Sequence, residues 1–283
     1  KSADLAAGGA DLRFFDDAGR MIPHEIDTWA TDADPAGTNL VWTLMPELTP
    51  TAAFYATWGY EAGDGLPAND PTAVWKDYVA VWHLNEASGP AYDSTGHGIT
   101  ANVAEGQEEA CVGSSDSPFG GCARANGRGT YSLFADDYTA TFPTQSGFAY
   151  LSGWFKPTHF TSGSYPGYWS KRNTWGENGF SCNMQANKTE VTVAGNGGNT
   201  FATQIPDFTT SGWFRMAVDY LTCGWAWVYY NGAYRNGGGI STITDVRGVK
   251  LGFGGIEGCF DEVRLRKEAP NKGGGSSDPI TAI

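Results

Sequence analysis

Two carboxylates fall where strand alternation would turn them towards apolar neighbours and a third lies in a loop between them; a carboxylate on a core-facing position needs a cation or several hydrogen-bond donors. In Trp82-His83-Leu84-Asn85-Glu86, alternation puts Glu86 on the face of Trp82 and Leu84. In Phe260-Asp261-Glu262-Val263-Arg264-Leu265 it puts Asp261 with Val263 and Leu265, leaving Glu262, Arg264 and Arg266 to face out. Between them in sequence, Tyr92-Asp93-Ser94-Thr95-Gly96-His97-Gly98 forms a loop offering Asp93 and main-chain carbonyls. Such oxygens suit calcium, which takes about six to eight of them. The expectation is a structural calcium on Glu86, Asp93 and Asp261; the alternative is that backbone N–H groups or an arginine satisfy each acid.

A second chemistry is sugar binding. Ser164-Tyr165-Pro166-Gly167-Tyr168-Trp169 leads through Lys171-Arg172-Asn173 to Trp175-Gly176-Glu177-Asn178. Aromatic rings stack on the apolar faces of sugars while Asn and Arg bond hydroxyls, which makes Tyr168, Asn173 and Trp175 the glycan candidates. Trp169 reads as a strand residue of the core; Trp175, among polar residues in a loop, is the better ligand. Catalysis finds little support. Glu25-Ile26-Asp27 opens like a glycosidase Glu-x-Asp-x-Glu strand, but Thr28-Trp29-Ala30 follows. A retaining mechanism needs two carboxyls about 5 Å apart across the sugar. No Gly-x-Ser-x-Gly elbow occurs, and His24, His83, His97 and His159 lack metalloprotease spacing. No catalytic residue is assigned, and the chain is expected not to be an enzyme.

The same residues resemble a known family. Trp82 to Glu86, then Asp93 to Gly98, then Gly153-Trp154-Phe155-Lys156-Pro157, then Phe260 to Leu265 look like the ordered signatures of bacterial laminin-G-like, concanavalin-A-like lectin domains, over about residues 76 to 270. The resemblance implies a two-sheet jelly roll and often a structural calcium, with Glu86, Asp93 and Asp261 as its ligands. The family's loop usually has Asn where this chain has His97. The first region is similar to a bacterial domain of unknown function that often precedes such lectin-like domains. Gly9-Ala10-Asp11-Leu12-Arg13-Phe14, Ile22-Pro23-His24-Glu25-Ile26 and Val41-Trp42 carry that likeness. Its relatives open with one more apolar strand, which implies an open sheet edge here.

The elements that must position these groups are strands. Glycine (39), tryptophan (11), tyrosine (13) and phenylalanine (15) are abundant, a mix that favours turns and pleated surfaces. Asp11 to Phe15, Met21 to Ile26, Leu40 to Leu44 and Ala53 to Trp58 read as strands of a first domain, residues 1–72. Glu61 to Pro71, rich in Gly, Asp, Pro and Asn, marks its end. Strands at Val79 to Leu84, Phe148 to Phe155, Phe180 to Gln185, Glu190 to Val193, Phe214 to Tyr220, Trp225 to Tyr230 and Phe260 to Leu265 build a second domain, residues 73–271. Phe214, Met216, Val218 and Tyr220 share one face while Arg215 and Asp219 take the other. Asn231-Gly232 suits a tight hairpin turn. No helix of ten residues or more is expected. The fold class is all-β: two β-sandwich domains, the second a jelly roll.

Residues 272–283 are a Gly/Ser linker and a strand-like tail, with Ile280 and Ile283 as apolar anchors for assembly. Cys111 and Cys122 bracket a Gly/Ser-rich loop and are expected to form a disulfide, which favours an oxidising, extracytoplasmic setting. Five cysteines leave one odd. Opening at Lys1 without a methionine or signal pattern suggests a processed product or fragment. The net charge of −13, from 18 basic and 31 acidic residues, argues against nucleic acid and anionic membranes as partners. No run of about 18 apolar residues is long enough to span a bilayer. The function expected is non-catalytic extracellular recognition, with glycans or other surface components as partners, in a secreted or cell-surface bacterial protein. A second expectation is a structural subunit of an extracellular filament, joined to copies of itself by strand exchange through the tail.

Overall fold

In the computed structural model, the residues described are 6–29, 39–46, 49–60, 65–66, 69–103, 105–106, 113, 116–117, 119, 123–126, 131–132, 147–160, 167–170, 179–184, 190–198, 200–205, 212–221, 223–243, 250–253 and 256–266. The chain divides into two compact units, residues 1–76 with 94–96, and residues 77–93 with 97–283. No described helix is long and apolar enough to cross a membrane.

The first unit holds β1 (Arg13–Asp16), β2 (Met21–Ile22), β3 (His24–Thr28), β4 (Leu40–Thr43) and β5 (Phe54–Thr57). They form an antiparallel sheet in the order β2-β1-β5 and a second sheet of β3 with β4. The β1–β2 turn is tied by Asp16, whose Oδ1 accepts the Ala18 and Arg20 N–H groups and whose Oδ2 accepts Arg20 Nε at 2.7 Å. Leu12, Phe14 and Ile22 make a small core with Trp29, Val41 and Met45 packed against it. A one-turn helix, α1 (Pro71–Val74), is capped by Asp70, which accepts the Ala73 N–H at 3.1 Å.

The second unit contains β6 (Tyr78–Trp82), β7 (Asn102–Val103), β8 (Ala123–Asn126), β9 (Tyr131–Ser132), β10 (Phe148–Phe160), β11 (Gly167–Ser170) and β12 (Ser181–Met184). It continues with β13 (Glu190–Ala194), β14 (Thr200–Gln204), β15 (Phe214–Leu221), β16 (Trp225–Tyr230), β17 (Ala233–Gly239), β18 (Lys250–Phe253) and β19 (Ile256–Arg266). One seven-stranded sheet runs β17-β16-β15-β10-β19-β6, with β8 also on β19; the other runs β14-β13-β12-β11-β18-β9-β7. Their inner faces share one core that includes Trp82, Phe155, Trp169, Phe214, Tyr220 and Phe260. This is the β-sandwich expected. Trp169 Nε1 donates to Tyr220 Oη at 2.9 Å and Tyr220 Oη to the Ser181 carbonyl at 3.3 Å, so these buried polar atoms link the two sheets.

Of several register irregularities, those on β19 and β11 change where candidate residues point. On β19, Arg264 pairs with Ser152 and Asp261 with Trp154, so Glu262 and Val263 together face the single residue Gly153. Glu262 takes a left-handed φ of 50° there. The extra residue turns Asp261 away from the core face of Val263 and onto the outer face with Trp154. On β11, Gly167 pairs with Asn183 and Trp169 with Cys182, leaving Tyr168 as the inserted residue. Both Tyr168 and Trp169 are fully buried.

Candidate functional site

The three acids singled out for calcium take different positions. Asp93 clasps β6: Oδ1 accepts the Val81 N–H at 3.0 Å and Oδ2 the Ile99 N–H at 3.4 Å. For this acid, backbone donors supply what a cation would. Glu86 Oε1 accepts the Tyr92 N–H at 2.8 Å, whereas Oε2 is buried without a hydrogen-bond partner. Asp261 Oδ2 accepts the Ser117 hydroxyl, whose oxygen takes the Phe119 N–H at 2.8 Å. Gly113 N–H donates to the Ala87 carbonyl at 2.9 Å, so Gly113 borders the Glu86 turn while Ser117 borders Asp261. Among the described residues, the three acids do not form a group whose carboxylate oxygens all lie within 4.8 Å of one another. The buried Oε2 of Glu86 is the atom that suits a hard cation.

Glu262 and Arg264 lie on the outer side of the sheet as alternation suggests, yet neither is exposed. Glu262 Oε1 contacts His83 Nδ1 at 2.7 Å, and Oε2 accepts Arg264 Nε at 3.0 Å and Nη2 at 2.5 Å. Burial alone would raise the Glu262 pKa, but the His83 and Arg264 charges hold it below the usual glutamate value.

Of the glycan candidates, Asn173 and Trp175 lie outside the described residues, and Tyr168 is corrected. Its ring is packed in the core at 4.8 Å from Phe155 and 5.7 Å from Phe214, so it offers no face to a ligand. The carboxylates of the glycosidase-like stretch are engaged as well. Glu25 Oε2 accepts Trp75 Nε1, and Asp27 Oδ2 accepts Trp42 Nε1 at 3.0 Å. Cys111, Cys122, Ile280 and Ile283 lie outside the described residues; no disulfide joins Cys182, Cys223 and Cys259.

A different cleft opens on the outer face of the β15-containing sheet. It has a volume of about 240 Å³ and is lined by Trp154, Trp213, Arg215, Asn231 and Gly232. Alternation explains its membership: Phe155 and Phe214 point into the core, so Trp154 and Arg215, cross-strand partners on β10 and β15, point outward. Trp213 precedes Phe214 and sits partly exposed. The wall is the β16–β17 turn, where Asn231 and Gly232 have φ of 47° and 75°, the pair of left-handed conformations a two-residue hairpin needs. Asn231 locks onto β15, its Oδ1 accepting the Arg215 N–H at 2.9 Å and its own N–H donating to the Arg215 carbonyl at 2.9 Å.

Further along the same face, Tyr150, Asp219 and Trp227 stand side by side on β10, β15 and β16. Asp219 is fully buried, and neither carboxylate oxygen has a hydrogen-bond partner. Burial pushes its pKa up to about 7. A Cβ on Gly237 would sit 2.6 Å from the Trp227 ring, so glycine is what lets that indole lie against β17. The motif reading missed the cleft and Asp219. The available signal was a tryptophan or an acid at the non-core phase of a strongly alternating strand.

No protein-family model matches the chain, and no curated protein does. Solved structures do. The binding domain of Paraclostridial Mosquitocidal Protein 1 superposes with a TM-score of 0.53 at 11% identity, over 69% of this chain and 50% of that one. The receptor binding domain of botulinum neurotoxin D gives 0.50 at 10%, over 68% and 49%. Domain 4 of an extracellular arabinanase from Geobacillus stearothermophilus, solved in complex with arabinotriose, gives 0.50 at 18%, over 68% of this chain and 92% of that domain. The chain thus spans about half the length of the two toxin binding domains. What it shares with all three is the fold.

Proposed function

We propose that the second unit is a non-catalytic, extracellular recognition module that binds a sugar in the cleft of Trp154, Trp213, Arg215, Asn231 and Gly232. The cleft itself is the observation that carries this reading. Two indoles supply apolar faces for a sugar ring, and the Asn231 side-chain amide supplies a donor for its oxygens. At about 240 Å³ it is smaller than the ~300–1,000 Å³ pockets of drug-sized ligands, a size that suits one sugar ring. The fold supports the same reading, since domains of this shape are described as receptor-binding, and one was solved with arabinotriose. A bacterial laminin-G-like lectin, secreted or on the cell surface, fits both. A calcium belongs to this proposal through Glu86, whose turn Gly113 borders, and Asp261, which Ser117 contacts. The test is a saccharide titration followed by amide chemical shifts. Binding should perturb Asn231, Gly232 and the Trp213 indole, and Trp213→Ala should weaken it at least about tenfold with the fold intact. Perturbations confined to other faces would refute the assignment.

A second reading has one observation of its own. β5 is the edge of its sheet, and Phe54 and Tyr55, which alternate across it, are 50% and 56% exposed. An exposed aromatic edge invites an added strand, consistent with assembly through residues 278–283 of another copy. Deleting residues 279–283 would then leave a monomer in light scattering where the intact chain assembles; unchanged assembly removes this reading.

A further inference from the structure

The geometry points to a polymeric ligand: a single, neutral, extended polysaccharide chain that places one sugar in the cleft and its next rings along an aromatic row on β16 and β17. This rests on the sugar-binding reading of the cleft and extends it from one ring to a chain. Outward from the turn that walls the cleft, Tyr229 pairs with Tyr234, Trp227 with Gly237 and Trp225 with Gly239. These pairs occupy successive same-face positions about 6.6 Å apart, so the row runs roughly 13 Å beyond the Tyr229 pair. Tyr229 packs on Tyr150 at 6.3 Å, and Trp227 pairs with Asp219, which fixes this as the sheet face that holds the cleft.

Glycine shapes the row. Trp225 Nε1 lies 3.1 Å from where a Gly237 Cβ would sit, and its six-membered ring 3.9 Å from where a Gly239 Cβ would sit. The indole therefore lies along the bare main chain of β17. Trp227 Cδ1 and Nε1 stand 2.6 and 3.0 Å from the same Gly237 position, closer than any side chain allows. Trp225 is 42% exposed and Tyr234 39%, with Trp227 partly exposed between them. Tyr229 is buried and braces Tyr234, their ring centroids 5.9 Å apart.

Charge and area select the kind of partner. The rings of the row are uncharged on a chain of net charge −13, and the acid beside Trp227, Asp219, is fully buried, so the row suits a neutral ligand. Aromatic side chains of about 150–250 Å² each, exposed to 42% and 39%, leave roughly 120–200 Å² for contact, far below the ~800 Å² per partner of a stable protein interface. Sugar rings need no more, because each stacks singly on one aromatic face and its hydroxyls reach the Tyr234 hydroxyl and the Trp225 indole N–H. Trp225 and Trp227 lie 6.4 Å apart and are tilted by 49°, following the twist of the strand. Rings so inclined match successive units of one twisted chain; the flat face of a crystalline polysaccharide would need them coplanar.

The test uses the full chain and matched probes: glucose with cellohexaose, xylose with xylohexaose, mannose with mannohexaose, and arabinose with arabinohexaose. Binding is read from amide and indole shifts. The expected result is that at least one hexasaccharide binds about thirtyfold or more tighter than its own monosaccharide, beyond the roughly sixfold that six equivalent rings give by statistics. It should move the Trp225 indole and the Gly237 and Gly239 amides together with Asn231 and Gly232, whereas the monosaccharide moves only the last two. Trp225→Ala should return the hexasaccharide to within the statistical factor, and Gly237→Ala should do the same by displacing both indoles. A hexasaccharide gain no larger than statistics, or a Trp225 indole and Gly239 amide that stay still, would overturn this inference and leave sugar binding in the cleft standing. Shifts along the row with none in the cleft would overturn the continuous path and the cleft assignment together, as would silence at both to every probe. The wild-type comparison of chain lengths is decisive even where a variant does not fold.

Discussion

Removing the charge of Asp219 should make the second unit more stable at alkaline pH and leave it unchanged in acid. The side chain stands between Tyr150 on β10 and Trp227 on β16, fully buried, with neither oxygen hydrogen-bonded. Burial raises its pKa from an ordinary 3.8 to about 7. Between those values the folded protein binds a proton that the unfolded chain has released, so this residue's contribution to stability falls as pH rises from about 4 to about 7 and is flat above. A difference of about 3 units at about 1.36 kcal/mol each makes the full penalty roughly 4 kcal/mol. Asp219→Asn keeps the shape without the charge. Urea melts should show the two proteins within about 1 kcal/mol at pH 4.5 and the variant about 3–4 kcal/mol more stable at pH 8. In heat, that corresponds to a Tm gap of about 6–16 °C for a unit of this size. Other titrating groups act equally on both proteins and cancel in the comparison. Stability curves that run parallel from pH 4.5 to 8 would refute the reasoning.

Three further outcomes follow from named contacts. Glu262→Gln removes the acid that His83 and Arg264 share and should cost about 3–5 kcal/mol at pH 7 in denaturant melts. Because the Glu262 pKa is lowered in the fold, its contribution is present above the unfolded value and lost as pH falls through the folded one, so wild type and variant should converge in strong acid. Gly232→Val forces a β-branched residue to a φ of 75° and should destabilise by at least about 1–2 kcal/mol while weakening sugar binding, read by melts and titration together. Calcium at about 100 times its Kd should raise wild-type stability by about 2.7 kcal/mol, and Glu86→Gln, which neutralises the buried Oε2, should lose most of that gain.

Much of the architecture was legible in local pattern. The alternation of Phe214 to Tyr220 is a property of neighbouring residues, and β15 runs Phe214–Leu221 with that burial. Trp225 to Tyr230 has the bounds expected of it, and Asn231-Gly232 makes the turn its composition demands. Short or glycine-rich strands escaped notice: β7 and β9 are two residues long, and β17 ends in Gly237-Gly238-Gly239. Such segments carry too little apolar pattern of their own and are defined by the strands they pair with.

The candidate site was less legible, for two physical reasons. Alternation carries a residue's facing along a strand only while no residue is inserted. One bulge at Glu262 moved Asp261 from the core face to the outer face, and another at Tyr168 turned a presumed ligand ring into the core. The cleft, moreover, joins residues distant in sequence: Trp154 from β10, Trp213 and Arg215 from the start of β15, and Asn231 and Gly232 from the β16–β17 turn. By itself the sequence determined that strands would form, which of their faces would be apolar, and that they would stack as a sandwich, because those follow from side-chain period and the burial of apolar surface. The pairing of β10 with β15, and the turn that folds β16 back beside them, belong to tertiary structure. They decided that two indoles, an arginine and an asparagine would share one hollow, since register between distant strands is set by the packing of the whole sheet.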